Sequence, residues 1–355
     1  MTDRPVLFSP EVEDVQPYEA ETIAEVNEIF DGIMQTTATD YGHAVRAVHA
    51  KAHAVLEGVF TVDAGLPPEL AQGLFAQAGG HKAYLRFSTN AGDILPDDIV
   101  LPRGLALKVL DVDGERLSTE EGTAQDFIMI NGPVFMAKNT EDFAGSLKLL
   151  ARTTDKMEGA KEMLSGVLGA INKALGAIGL PSTTLAGLGG APNVDPLGET
   201  YFSVTPFRYG DYIAKFSLAP VSKRLTDLTG KEVIIAGNPN AIRDQVRQEM
   251  RTLEGSWEFR VQLCRDLEKQ PVEDPTKEWK AEDSPWLRVG TLTVGPQDSW
   301  EPARVTAVDE AMRFSVWTGL AAHQPLGNIN RARRDAYKHS ADFRARFNRC
   351  PIREP

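Results

Sequence analysis

The segment NINRARRDAYKHSADFRARFNRC, residues 328–350, sets one tyrosine among a group of arginines. Wound as a helix at about 100° per residue, Arg333, Tyr337 and Arg344 fall at about 0°, 40° and 20°, on a single face. A guanidinium beside a phenol favours the phenolate, because nearby positive charge stabilises the ionised form. A phenolate is a hard anionic oxygen ligand suited to ferric iron. The second arginine offers its fork of donors to a carboxylate. A solvent-facing basic helix with one tyrosine dipping into a core would carry the same spacing, so the pattern does not decide alone.

A second segment, RAVHAKAHAVLEGVF (46–60), carries His49 and His53 four residues apart. Helical spacing would align them on a metal, but the flanks supply neither a third ligand nor supporting carboxylates. The strand pattern that begins here also speaks against a helical pair. A lone neutral His49 is suited to moving a proton between the two oxygens of a peroxide, and equally to a structural role. Further on, Arg86 interrupts the apolar strand KAYLRFST. A buried arginine needs an anion, either a carboxylate of a bound group or an Asp or Glu of the chain.

These residues must be positioned by a chain of 355 residues with 42% hydrophobic and 25% charged side chains, enough for a large core. Its net charge of −12 disfavours nucleic acid and anionic membrane surfaces as partners. The two cysteines, Cys264 and Cys350, form no zinc-type or disulfide pattern and fit a reducing compartment. The N-terminus lacks an apolar signal core, and no apolar run reaches the ~18 residues of a membrane span, so a cytoplasmic location is expected.

Residues 1–40 read as a polar arm followed by an amphipathic helix from Ala20 to about Thr37. Strands are expected at AVLEGVFTV, KAYLRFST, GLALKVL and DFIMI, separated by turn residues in the manner of antiparallel pairs. Helical periodicity marks 140–180, within a 140–190 segment that ends in a glycine-rich loop. Strand character resumes at 201–218 around an RYGD turn, then at Val233–Ala236, SWEFRVQL, LRVGTLTV and ARVTAV, with a helix near 240–253. No linker or repeat divides the chain, so one domain over 1–355 is expected. Its architecture would be α+β, an antiparallel barrel surrounded by helices.

Taken in order, RAVHAK, LRFSTNAGD, PRGLALKV, NGPVF and RRDAY followed by Arg344 resemble the motifs of the haem catalase family. The resemblance is strong over roughly 43–143, recurs around 257–294 and returns at 325–344. FSVWTGLAAHQPLGNINRARRDAYKHS looks more like the small catalase-related haem peroxidases and allene oxide synthases. The resemblance implies a minimal catalase core binding one haem b with ferric iron, the proximal helix being 328–349. Carried over by position, Tyr337 is the iron ligand and His49 the distal acid–base group. Arg333 bonds the phenolate, while Arg46, Arg86 and Arg344 meet the haem propionates. Ser88 holds His49, Val48 narrows the pocket and Phe143 stacks on the porphyrin.

The chain departs from the family at the asparagine turn. Ungapped, the catalytic asparagine position is Ile130, with Asn131 one place later. Either the turn shifts so that Asn131 reaches the peroxide, or the distal amide is absent and dismutation suffers more than peroxidase turnover. The expected activity is a peroxidase on hydrogen peroxide or organic hydroperoxides, with some catalase activity and a small-molecule reductant as partner. A fatty-acid hydroperoxide lyase or isomerase, with the 140–180 helices walling an apolar channel, and a non-enzymatic haem protein are the alternatives. A homodimer is compatible with this reading.

Overall fold

The protein is described by a computed structural model over residues 4–117, 122–154 and 193–355. Among the described residues nine strands occur in chain order: β1 (Ala52–Val62), β2 (Gly79–Thr89), β3 (Arg103–Val109), β4 (Gln125–Ile130), β5 (Tyr201–Phe202), β6 (Phe207–Tyr209), β7 (Tyr212–Pro220), β8 (Gly255–Leu263) and β9 (Leu287–Val294). The sheet order β5-β4-β3-β2-β1-β9-β8-β7 closes on itself through a β5–β7 pairing, and β6 hairpins onto β7. Every pairing is antiparallel, so the expected barrel is present, with eight strands in the ring.

Period-two alternation decides what each strand shows to the inside. In SWEFRVQL the residues Trp257, Phe259, Val261 and Leu263 are wholly buried. They join Phe60, Phe127 and Phe216, whose rings pack closely: the Phe127 and Phe259 centroids lie 4.7 Å apart, and those of Phe127 and Phe216 5.0 Å apart. The barrel is therefore filled by its own side chains.

The outer face of β2, β3 and β4 is different. Leu85, Phe87, Leu105, Leu107, Phe127 and Met129 point into the core, which turns the alternate residues outward. Register aligns these outward residues in rows: Ser88, Gly104 and Ile130; Arg86, Ala106 and Ile128; Tyr84, Lys108 and Asp126. Three helices gather outside the barrel: α1 (Glu19–Tyr41), α2 (Thr140–Thr154) and α4 (Asn328–Asn348). Val26, Phe30, Ile33, Met34, Ala144 and Leu147 form the apolar seam of α1 and α2, and Ala336 and Phe343 of α4 pack against it. A further helix, α3 (Ala241–Met250), covers β1.

Two expected strands are absent. Val233–Ala236 forms no strand, and an isolated bridge joins the neighbouring Glu232 to Val194. ARVTAV is helical: the Glu301 carboxylate caps the Ala303 and Arg304 N–H groups, Pro302 occupies the first turn, and a π-turn continues over Val305–Glu310. An acidic cap followed by proline is a helix start that outweighed the β-branched residues after it. The first helix runs four residues beyond Thr37, to Tyr41, where Gly42 at φ 62° ends it. The RYGD turn is formed as read, with Gly210 at φ 61° between β6 and β7. Of the 140–190 helical segment, 140–154 is helical and 155–190 lies outside the described residues. Among the described residues no helix is long and apolar enough to cross a membrane.

Candidate functional site

His49 sits in the loop between α1 and β1, and that loop is fastened to α4. The Ala44 N–H donates to Asn348 Oδ1 at 2.7 Å and the Ala47 N–H to Ser340 Oγ at 3.1 Å. His49 itself has φ 55°, a left-handed conformation that a non-glycine residue holds only when its surroundings insist. Here the Arg86 Nη2 group donates to the His49 carbonyl at 2.9 Å.

The imidazole lies against β3 at Gly104, where a Cβ would come within 2.3 Å of Cε1 and 2.4 Å of Nδ1. A glycine inside a strand marks such a close approach. Nδ1 is 3.1 Å from Ser88 Oγ, and that hydroxyl donates to the Gly104 carbonyl at 3.4 Å. With its proton so directed the serine accepts from Nδ1–H, which leaves Nε2 as the basic nitrogen. Burial, and then the positive charges of Arg86, Arg333 and Arg46, push the His49 pKa down to about 3, so the ring is neutral.

The three arginines expected to meet carboxylates do converge. Arg46 Nη1 and Arg86 Nε each donate to Asp309 Oδ1 at 2.6 Å, and Arg344 Nη1 donates to the Glu310 carbonyl at 3.0 Å and that of Asp309 at 3.4 Å. Burial would raise the Asp309 pKa, but Arg86 and Arg46 outweigh it and hold the carboxyl at about 2. Arg46 and Arg86 share the charged Asp309 carboxylate, Arg344 meets backbone carbonyls of the same turn, and the Glu310 carboxylate also acts on Arg46 and Arg344. Arg344 Nε is buried without a hydrogen-bond partner. The π-turn that presents Asp309 is the same segment that sequence periodicity read as a strand.

On α4, Arg333 donates to Asn330 Oδ1 at 3.2 Å and Thr205 Oγ1 at 3.4 Å, and its guanidinium lies over the Phe135 ring at 5.7 Å. The Tyr337 hydroxyl has no hydrogen-bond partner among the described residues. Burial raises the Tyr337 pKa, Arg333 opposes this, and Asp126 adds to it. Arg333 acts electrostatically on both His49 and Tyr337, so the two residues border a common region. Phe143 of α2 packs against Phe135 at 5.4 Å and Phe30 at 6.3 Å, and Val48 joins the same apolar cluster.

Asn131 goes elsewhere. Its Nδ2 donates to both Glu199 oxygens, at 2.9 and 3.1 Å, and its Oδ1 accepts the Arg103 N–H at 2.8 Å. Ile130 is the residue in the Gly104 row, on the side of His49. The turn has not shifted by one, because strand alternation sends successive side chains to opposite faces. His53 likewise stays apart from His49: its Nε2 bonds Thr89 Oγ1 at 2.7 Å, and no cluster able to hold a metal through His, Cys, Asp or Glu occurs among the described residues. Sequence reading missed Gly104, visible only as a glycine within a strand, and Asp309, which carries no local signal at all.

No family model matches the chain, and no curated protein matches it by sequence. Solved structures do match by shape. They include a fungal catalase (TM-score 0.60, 16% identity, 88% of this chain and 63% of that one) and catalase A from Saccharomyces cerevisiae (TM-score 0.61, 17% identity, 88% and 65%). A bacterial catalase matches over 100% of this chain and 66% of its own, at TM-score 0.60 and 15% identity. The chain thus spans slightly less than two thirds of these structures, and its fold is catalase-like.

Proposed function

We propose that the chain binds one haem b and handles peroxides as a peroxidase, with Tyr337 as the iron ligand and His49 as the acid–base group. The observation that carries this reading is a neutral, half-buried imidazole fixed by Ser88, with an arginine-flanked tyrosine acted on by the same Arg333.

The donor set fits the group. The positive cluster of Arg46, Arg86 and Arg344 suits the propionates, and the unpartnered Arg344 Nε is a ready donor to one of them. An unpartnered phenol beside Arg333 corresponds to a phenolate ligand. Bound there, the haem iron would supply the redox chemistry that breaks an O–O bond. The chain's part is acid–base and positional. His49 takes the proton of the nearer peroxide oxygen on Nε2 and returns it to the leaving oxygen, while Ser88 keeps the tautomer. Arg333 stabilises negative charge on Tyr337. The apolar Ile130, standing where the resemblance implies an amide, supplies no hydrogen bond to peroxide, which favours peroxidase turnover over dismutation.

The test is a haem-replete preparation assayed for oxygen evolution from H2O2 and for oxidation of an aromatic donor. Donor oxidation far above free haemin is expected; both activities at the haemin level would remove the proposal. Tyr337→Phe should abolish the high-spin ferric phenolate spectrum, and an unchanged spectrum would exclude Tyr337 as ligand.

A further inference from the structure

A cavity of about 610 Å³ beside β7 and β8 is lined in part by Val194, Gly198, Glu199 and Thr200. Backbone bonds tie this stretch to the chain near 230: the Asp195 N–H donates to the Lys231 carbonyl at 2.9 Å, and the Val233 N–H to the Asn193 carbonyl at 2.7 Å. Its second tie, to α3, runs through carboxylates. Asp195 is wholly buried, and its Oδ1 accepts the Leu197 N–H at 3.0 Å, capping the Pro196–Gly198 turn. Its Oδ2 accepts from Gln245 Nε2 of α3 at 2.7 Å.

The same Gln245 Nε2 is 3.5 Å from Glu249 Oε1, which also accepts from Lys231 Nζ at 2.9 Å. Glu249 Oε2 is buried and has no hydrogen-bond partner among the described residues. Two carboxyl groups thus meet around one amide, and the half-exposed Lys231 is the cation that acts on both. Tyr201, whose hydroxyl donates to the Pro196 carbonyl at 2.9 Å, is the other titratable neighbour. The remaining charges on the packed elements point elsewhere. Arg243, Asp244 and Arg247 of α3 engage Ala52, Asn238 and Asp298, while Lys223 and Arg224 of the short helix 223–226 are exposed. Trp257 of β8 offers only its indole N–H, to the Leu197 carbonyl at 3.3 Å.

Two ionised carboxylates at such range repel, and burial penalises each of them. One proton turns the repulsion into a hydrogen bond and belongs to the pair rather than to either residue. Burial, and then the contact with Glu249, push the Asp195 pKa up to about 7. We propose that Asp195 and Glu249 share one proton as a clasp between the 193–199 segment and α3, released as pH rises, so that this lining of the cavity is held at acidic pH and loosened near neutrality. The sign follows from linkage. Clasped, the proton stays bound up to about pH 7; once the segment lifts and water enters, Asp195 becomes an ordinary carboxyl near about 3.9. Opening therefore releases a proton and grows easier between those two values, by at most about tenfold per pH unit.

Hydrogen exchange of the full chain, corrected for the intrinsic pH dependence of exchange and followed by mass spectrometry in peptides covering 193–199 and 228–235, tests this. Glu199 accepts from Asn131 and is itself pushed up to about 7 by burial, so the comparison is made in a Glu199→Gln background that removes its contribution. In Glu199→Gln, opening should rise at least about tenfold from pH 5 to pH 7. In Glu199→Gln/Glu249→Gln, where an amide replaces one carboxyl of the pair, the rise should fall below about twofold. Equal rises in the two variants, or a flat profile in Glu199→Gln, overturn the clasp. If the double variant does not fold, the Glu199→Gln profile decides by itself: a tenfold rise upholds the clasp and a flat one removes it. The exchange is read on the chain without haem or peroxide, so its outcome is separate from that of the peroxidase reading.

Discussion

Replacing Gly104 by alanine inserts one methyl group between β3 and the His49 ring. The added carbon would sit 2.3 Å from Cε1 and 2.4 Å from Nδ1, and 3.1 Å from Ser88 Oγ. Ordinary contact needs 3.4 Å or more, so something must yield by at least about 1 Å. The strand is held on both sides, by β2 and β4, and the ring is held by Ser88 and a left-handed backbone. Overpacking of this kind costs about 1–3 kcal/mol. The cost belongs to the pair, which a double-mutant cycle isolates. Urea denaturation should show Gly104→Ala destabilising the wild type by that amount, while in a His49→Ala background the penalty should largely disappear. In the haem-replete protein, an imidazole displaced by about 1 Å should lower peroxide turnover on the order of a hundredfold. An equal penalty in both backgrounds would refute the packing of His49 on Gly104, and with it the placement of the proposed acid–base group.

Asp309→Asn removes the carboxylate that Arg46 and Arg86 share and should destabilise the haem-free chain by about 3–5 kcal/mol; an unmoved denaturation midpoint would contradict the cluster. His49 has a folded pKa of about 3 against an unfolded value near 6.5, so the unfolded chain takes up its proton first as pH falls. Its contribution to stability is therefore full above pH 6.5 and lost as pH drops toward 3, at up to about 1.4 kcal/mol per unit. Relative to His49→Gln, the wild type should lose stability across that window, and parallel pH profiles would show the histidine to be solvated. Ile130→Asn places an amide in the Gly104 row; oxygen evolution should rise relative to donor oxidation, and an unchanged ratio would separate Ile130 from peroxide handling.

Periodicity made much of this fold legible. SWEFRVQL alternates because one face of β8 fills a barrel, and the α4 arginines share a face because a helix turns every 3.6 residues. Residues held by local pattern were readable, and His49, Ser88, Arg46, Arg86 and Arg344 came through the resemblance of several ordered motifs. What could not be read depends on contacts remote in sequence. Asp309 matters because Arg46, Arg86 and Arg344 reach it from 263, 223 and 35 positions away. The direction of Asn131 follows from its strand register with β3, and the need for Gly104 from a loop some 55 residues earlier.

The stapling of the His49 loop to α4 has a temporal meaning. Its two fastenings close spans of 304 and 293 residues, between Ala44 and Asn348 and between Ala47 and Ser340. Contacts so distant in sequence carry a large loop-closure cost and form only after intervening structure has brought their ends together. During synthesis the histidine leaves the ribosome early, yet its loop is not fully fastened until α4 has emerged and packed. A growing chain would thus hold His49 short of its final fastening until late in synthesis. The helix that carries Tyr337 is the one that completes the setting of His49, so the two residues of the proposed site come into place in a single late step.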